Sequence, residues 1–93
     1  MLSDIPKELA KMSQKELDKE ICRAGMIAEL DAINLYEQMA AMTKNKLIKD
    51  VLLDIAKEEK THMGEFQALL LMEDKEQVKE LKAGKGEVDE MKG

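Results

Sequence analysis

A chain of 93 residues carrying a net charge of −5 leaves room for one small domain, residues 1–93, and excludes a multidomain enzyme. Its residues are 44% hydrophobic and 38% charged, with Tyr36 and Phe66 the only aromatics, a composition that suits helices and starves sheets, so the expected fold class is all-α. The acidic balance offers no field for nucleic acid, the apolar runs fall short of the ~20 residues a membrane span needs, and the single Cys22 has no intrachain partner, which together point to the cytoplasm.

In chain order, residues 1–12 contain Pro6 and are expected to form at most a short arm or helical turn. Ser13-Gln14-Lys15-Glu16 then reads as a capping box, with Met12 and Leu17 placed as a hydrophobic staple. A first helix is predicted over about 14–42, because no proline or strong breaker intervenes before Thr43-Lys44-Asn45-Lys46. Asn45 can cap a second helix over about 46–72. A connection of roughly three residues forces the two into an antiparallel hairpin. Asp74-Lys75-Glu76-Gln77 is a further start signal and Gly84 a natural stop, predicting a short helix over about 75–83 and a polar tail over 84–93.

A heptad laid on the first helix puts Cys22, Gly25, Glu29, Ala32, Tyr36 and Met39 on a central seam, with Ile33 and Ala40 on its shoulders. The matching seam of the second helix is Ile48, Leu52, Ile55, Glu59, His62, Phe66 and Leu69, flanked by Ala56 and Leu70. Glu29, Glu59 and His62 interrupt faces expected to be buried against each other, and a buried carboxylate without a partner is costly. Glu59-Lys60-Thr61-His62 is Glu-x-x-His, whose spacing brings a carboxylate and an imidazole to one side of one turn, and Glu29 can supply a second carboxylate at similar height.

One Glu plus one Glu-x-x-His is half the ligand set of a di-iron carboxylate bundle, and a hairpin is half of a four-helix bundle. Two chains in a homodimer complete both, gathering four carboxylates and two imidazoles whose charge balances two divalent ions. Without metal, like charges ~4 Å apart repel by about 4 kcal/mol at an effective dielectric near 20. The plainer alternative is a buried ionic cluster without metal. Tyr36, seven residues beyond Glu29 on the same stripe, is placed to bond a ligand carboxylate or donate an electron, and a satisfied core tyrosine would read the same way. Glu58 and Glu65 on the seam's shoulder are placed to bridge or funnel ions, and read more simply as solvated or salt-bridged surface. Ile27, Leu30, Leu53 and Leu71 project opposite the seams, where aligned apolar residues suggest a second subunit interface.

Two blocks, Ala28-Glu29-Leu30-Asp31-Ala32-Ile33-Asn34-Leu35-Tyr36-Glu37-Gln38-Met39 and Ala56-Lys57-Glu58-Glu59-Lys60-Thr61-His62-Met63-Gly64-Glu65-Phe66, resemble the encapsulated ferritins, the ferritin-like cargo of encapsulin nanocompartments. The resemblance implies two-helix subunits dimerising into a ferritin-like four-helix bundle, with dimers joined into an open ring, commonly a decamer. It assigns iron ligation in a di-iron centre to Glu29, Glu59 and His62 and a supporting role to Tyr36. It further implies a ferroxidase that oxidises Fe(II) with dioxygen inside an encapsulin shell, for iron storage or detoxification. Some members carry an acidic entrance site beside the first-helix ligand; here Asp31 can keep part of that role and Ala28 cannot. The chain stops at Glu90-Met91-Lys92-Gly93 without a recognisable targeting peptide, as expected of a trimmed chain, part of a shell fusion, or a relative that works alone. Two other readings stay open: a rubrerythrin-like peroxidase, and a non-catalytic helical assembly module whose Glu and His layer is structural or holds zinc.

Overall fold

The computed structural model describes residues 13–93; the expected N-terminal arm, and Met12 of the staple, lie outside them. Three helices follow, α1 (Gln14–Met42), α2 (Lys46–Glu73) and α3 (Lys75–Met91), and no strand occurs among the described residues. α1 starts at Ser13, whose extended backbone turns its hydroxyl back to accept from the Glu16 amide at 3.3 Å. Such caps satisfy a helix's orphan donors and are worth about 1 kcal/mol each. Thr43 ends α1 in an extended conformation, and the Asn45 carboxamide oxygen accepts from the Ile48 amide at 3.1 Å to start α2. With only three residues between them, α1 and α2 fold back antiparallel, as the turn signal predicts.

The hairpin's interior matches the predicted seam only in part. Cys22, Ile33 and Ala40 of α1 and Ala56 and Leu70 of α2 are buried, most of them residues expected on the shoulders. Central-seam residues are left partly open: Ile48 and Leu69 are each 49% exposed. Two helices touch along a single line, whereas a helix in a bundle needs two such lines, so the residues between those lines face outward from an isolated hairpin. Ala40 and Ala56, at 1% and 2% exposure, let the two backbones approach closely along the contact line. On the outer side Leu30 and Leu53 are exposed, while Ile27 and Leu71 are half-buried.

The third helix overturns the expected stop at Gly84 and the polar tail over 84–93, for α3 continues to Met91. Neither Gly84 nor Gly86 adopts a positive φ, so neither provides the left-handed turn that ends a helix; Gly93 does, at φ 85°. A glycine inside a helix costs about 1 kcal/mol relative to alanine, which weakens α3 without breaking it. The Lys85–Asp89 pair, 2.6 Å apart and one helical turn in span, bridges Gly86.

α3 leaves the hairpin rather than covering it. None of its residues is buried, and the described residues span 47 × 44 × 18 Å, a flat shape. Asp74 is the joint: it closes α2, accepts the Gln77 amide at 3.0 Å to begin α3, and meets the Arg23 guanidinium of α1 at 3.0 Å. The hydrogen bond donated by the Gln77 backbone amide is the largest influence holding its carboxyl below the usual range, with Lys19 and Arg23 adding to it against the opposing effect of burial. No helix among the described residues is long and apolar enough to cross a membrane.

Candidate metal centre

Glu29 lies near the middle of α1, and Glu59 and His62 lie one turn apart on α2, where the antiparallel hairpin brings them to the same height. His62 Nδ1 is 3.7 Å from Glu29 Oε2 and 3.7 Å from Glu59 Oε2. Ligand atoms from all three residues lie within 4.8 Å of one another, the only such cluster among the described residues. The two carboxylate side chains are largely covered, 18% and 20% exposed, while the imidazole is 46% exposed. The site therefore has a closed floor between the helices and an open side.

The residues fit a cation. Glu29 Oε2 is buried and accepts no hydrogen bond, and such an orphaned acceptor is destabilising unless something positive reaches it. At 3.7 Å the imidazole is too far to be that donor. Two ligand atoms each about 2.1 Å from one ion sit at most ~4.2 Å apart, so both His62 distances are within the reach of a shared cation. Carboxylate oxygens with one imidazole nitrogen make a hard-to-borderline donor set suited to first-row divalent metals. A single chain supplies three ligand residues and leaves the open side for others.

Of the other residues singled out in the sequence, Tyr36 is half-buried two turns along α1 from Glu29. Glu58 and Glu65 are exposed and Asp31 is half-buried, all three outside the cluster. Cys22 is buried, and burial, with Asp18 and Glu73 nearby, pushes its thiol up, so it stays protonated and unreactive.

Two features around the site were not anticipated. Lys60, next to Glu59, reaches across to Glu37 of α1 at 3.1 Å; both are well exposed, so the pair is worth at most ~1 kcal/mol. The Phe66 ring lies against α1 at Gly25, so closely that a Cβ there would sit 2.7 Å from it. A glycine in the middle of a long helical pattern is the signal that could have revealed this contact, since such a residue usually has a packing reason.

Known proteins place this geometry in context. The rubrerythrin family model matches residues 6–91. The ferritin-like-encapsulin shell fusion protein of Pyrococcus furiosus is 58% identical over 85% of this chain, and the encapsulin nanocompartment cargo protein EncC of Myxococcus xanthus is 40% identical over 72% of it. The chain spans 23% and 51% of the lengths of these two relatives. The crystal structure of the encapsulated ferritin domain from Pyrococcus furiosus superposes with a TM-score of 0.82 at 52% identity, covering 97% of this chain and 86% of that one.

Proposed function

The chain belongs to the rubrerythrin family, among its encapsulated ferritins, and on that premise we propose that it is a ferroxidase whose di-iron centre is completed by two copies of the chain. The observation that carries this reading is the convergence of Glu29, Glu59 and His62 around the orphaned, buried Oε2 of Glu29. Fe(II) is the substrate, giving up one electron per ion to dioxygen.

The chain's own residues do the rest. Glu29 from α1 and Glu59 from α2 present carboxylate oxygens, which hold both Fe(II) and Fe(III), and His62 presents Nδ1 on the same side. Pairing two open sides brings together four carboxylates, enough to neutralise two Fe(II) ions, and excludes water from the centre. The half-exposed imidazole and the partly open seam residues Ile48 and Leu69 supply the surface for that pairing. Tyr36, on the same stripe of α1, is assigned a supporting role through its hydroxyl. The names of the two relatives support work within an encapsulin shell, as cargo or as part of a fusion; assembly into rings of dimers, such as a decamer, is carried over from the resemblance to encapsulated ferritins.

The test is anaerobic Fe(II) loading of the purified protein with native mass recorded before and after, followed by air and an optical trace of Fe(III). Two irons per pair of chains and oxidation faster than in buffer are expected. Iron uptake without faster oxidation, or no uptake, would leave the layer structural or a zinc site. The rubrerythrin family match supports a second reading, peroxide reduction at the same centre, and oxidation that responds to hydrogen peroxide but not to dioxygen would favour it.

A further inference from the structure

Gly25 and Phe66 form the layer next to the metal centre. Gly25 precedes Glu29 by one turn on α1, and Phe66 follows His62 by one turn on α2. A Cβ added at Gly25 would lie 2.7 Å from Cδ1 and Cε1 of Phe66 and 2.8 Å from its Cγ, closer than real side chains approach. The ring therefore rests on the α1 backbone itself, at a position open to it only because residue 25 has no side chain. Gly64 on α2 is different, for a Cβ there would meet nothing within 4 Å. Glycine is a poor helix former, so its place in the middle of the 29-residue α1 is explained by what it admits.

A flat, rigid ring trapped between two helices is a spacer. Glu29 belongs to α1 while Glu59 and His62 belong to α2, so the separation of the helices at this height decides whether the three ligands can close on one ion. We infer that Gly25 and Phe66 are positioning residues that set the gap between the α1 carboxylate and the α2 ligand pair, and with it the affinity and geometry with which a divalent cation is held. This inference rests on the metal-centre reading above. Restoring ordinary contact of 3.4 Å or more after adding a methyl at Gly25 requires the ring or the helix to move by several tenths of an ångström, one turn from ligand atoms that now stand 3.7 Å apart. Interiors packed at crystal-like density transmit such shifts to their neighbours.

The test uses Co(II) as probe on the full chain in its native assembly, reading affinity and the visible d–d spectrum, with native mass and helix content recorded alongside. Gly25→Ala is expected to lower Co(II) affinity at least tenfold and change the spectrum at unchanged native mass. Gly25→Ala combined with Phe66→Leu, which removes the ring the methyl collides with, is expected to return affinity to within threefold of wild type. Wild-type binding by Gly25→Ala would overturn the inference, since the half-buried ring would then have swung aside freely. A double variant that binds as poorly as the single one would also overturn it, placing the fault at a contact other than the ring. Where Gly25→Ala alone loses helix content, the double variant decides on the same terms. Failure of the metal-centre reading is distinguishable: a wild-type Co(II) spectrum that His62→Ala leaves unaltered would remove both, whereas a His62-dependent spectrum indifferent to Gly25→Ala would remove this inference alone.

Discussion

Along the α1–α2 hairpin Cys22, Ile33, Ala40, Ala56 and Leu70 are buried, whereas none of the 17 residues of α3 is. Both regions are fully helical, yet different forces keep them so. The hairpin is held by apolar packing between its two helices, the dominant favourable term in folding. α3 holds through two local devices, the Asp74 cap and the Lys85–Asp89 pair, and through an anchor to α1 from Arg23 to Asp74. An isolated helix of this length is marginal in water, so α3, with Leu81, Val88 and Met91 exposed, is the part whose order depends most on its joint. The metal cluster sits in the packed region, where ligands from two helices can be held at fixed separation.

The largest effects should fall on the hairpin's chemistry and leave both regions folded. Glu29→Ala or His62→Ala should reduce Fe(II) oxidation at least a hundredfold with helix content nearly unchanged, read by optical kinetics and circular dichroism; normal turnover in either variant would show that the cluster is not the oxidation site. Next comes the packing itself. Leu70, 3% exposed, fills the interior of the hairpin, and Leu70→Ala should destabilise the fold by about 2–4 kcal/mol in denaturant unfolding. A loss under about 0.5 kcal/mol would mean that the hairpin is not held by this core.

A smaller and pH-dependent effect should single out α3. Because the folded-state pKa of Asp74 is lowered, its contribution is fully present above the ordinary aspartate value of about 3.9 and is lost as pH falls through the lower folded value. The anchoring of α3 should therefore be constant from neutral pH to about 5 and fade below about 4. Asp74→Asn should remove that dependence, measured as the wild-type-minus-variant difference in thermal stability across pH. A difference that grows on acidification would reverse the sign and refute the assignment. The smallest expected change is a gain: a Cβ at Gly84 or Gly86 meets nothing within 4 Å, so Gly84→Ala and Gly86→Ala should each stabilise α3 by about 0.5–1 kcal/mol, seen as slower amide exchange there. Unchanged exchange would place the weakness of α3 at its joint and not in its glycines.

Much of this was legible in the residues. Ser13, Asn45 and Asp74 announced the starts of all three helices, since each is a short polar side chain able to reach an orphan amide three residues on. The candidate ligands were legible too, because a carboxylate and an imidazole at i, i+3 share one helix face and a charge on an otherwise apolar seam calls for a partner. Less legible was the end of α3: glycine is ambiguous between a stop and a tolerated weak point, and only the backbone conformation of Gly84 and Gly86 distinguishes them. The line of contact between α1 and α2 was legible in part: Cys22 is buried and Gly25 meets Phe66 on the expected seam, but the shoulder residues Ile33, Ala40, Ala56 and Leu70 are buried too. A heptad shows which residues are apolar, not which of two neighbouring helices each of them meets.

The amino-acid sequence by itself determined that the chain is helical, where its helices begin, that two of them pair antiparallel, and which three residues are candidates to bind a metal. Caps, turn length and residue spacing are local, and local chemistry is written in the order of the residues. The tertiary structure alone decided that Glu29 Oε2 is buried without a donor, that the imidazole is left half open, that Phe66 lies on the backbone at Gly25, and that α3 departs from the hairpin. Each depends on the distance and rotation between separate helices, which are fixed by how side chains far apart in the chain fill the space between them.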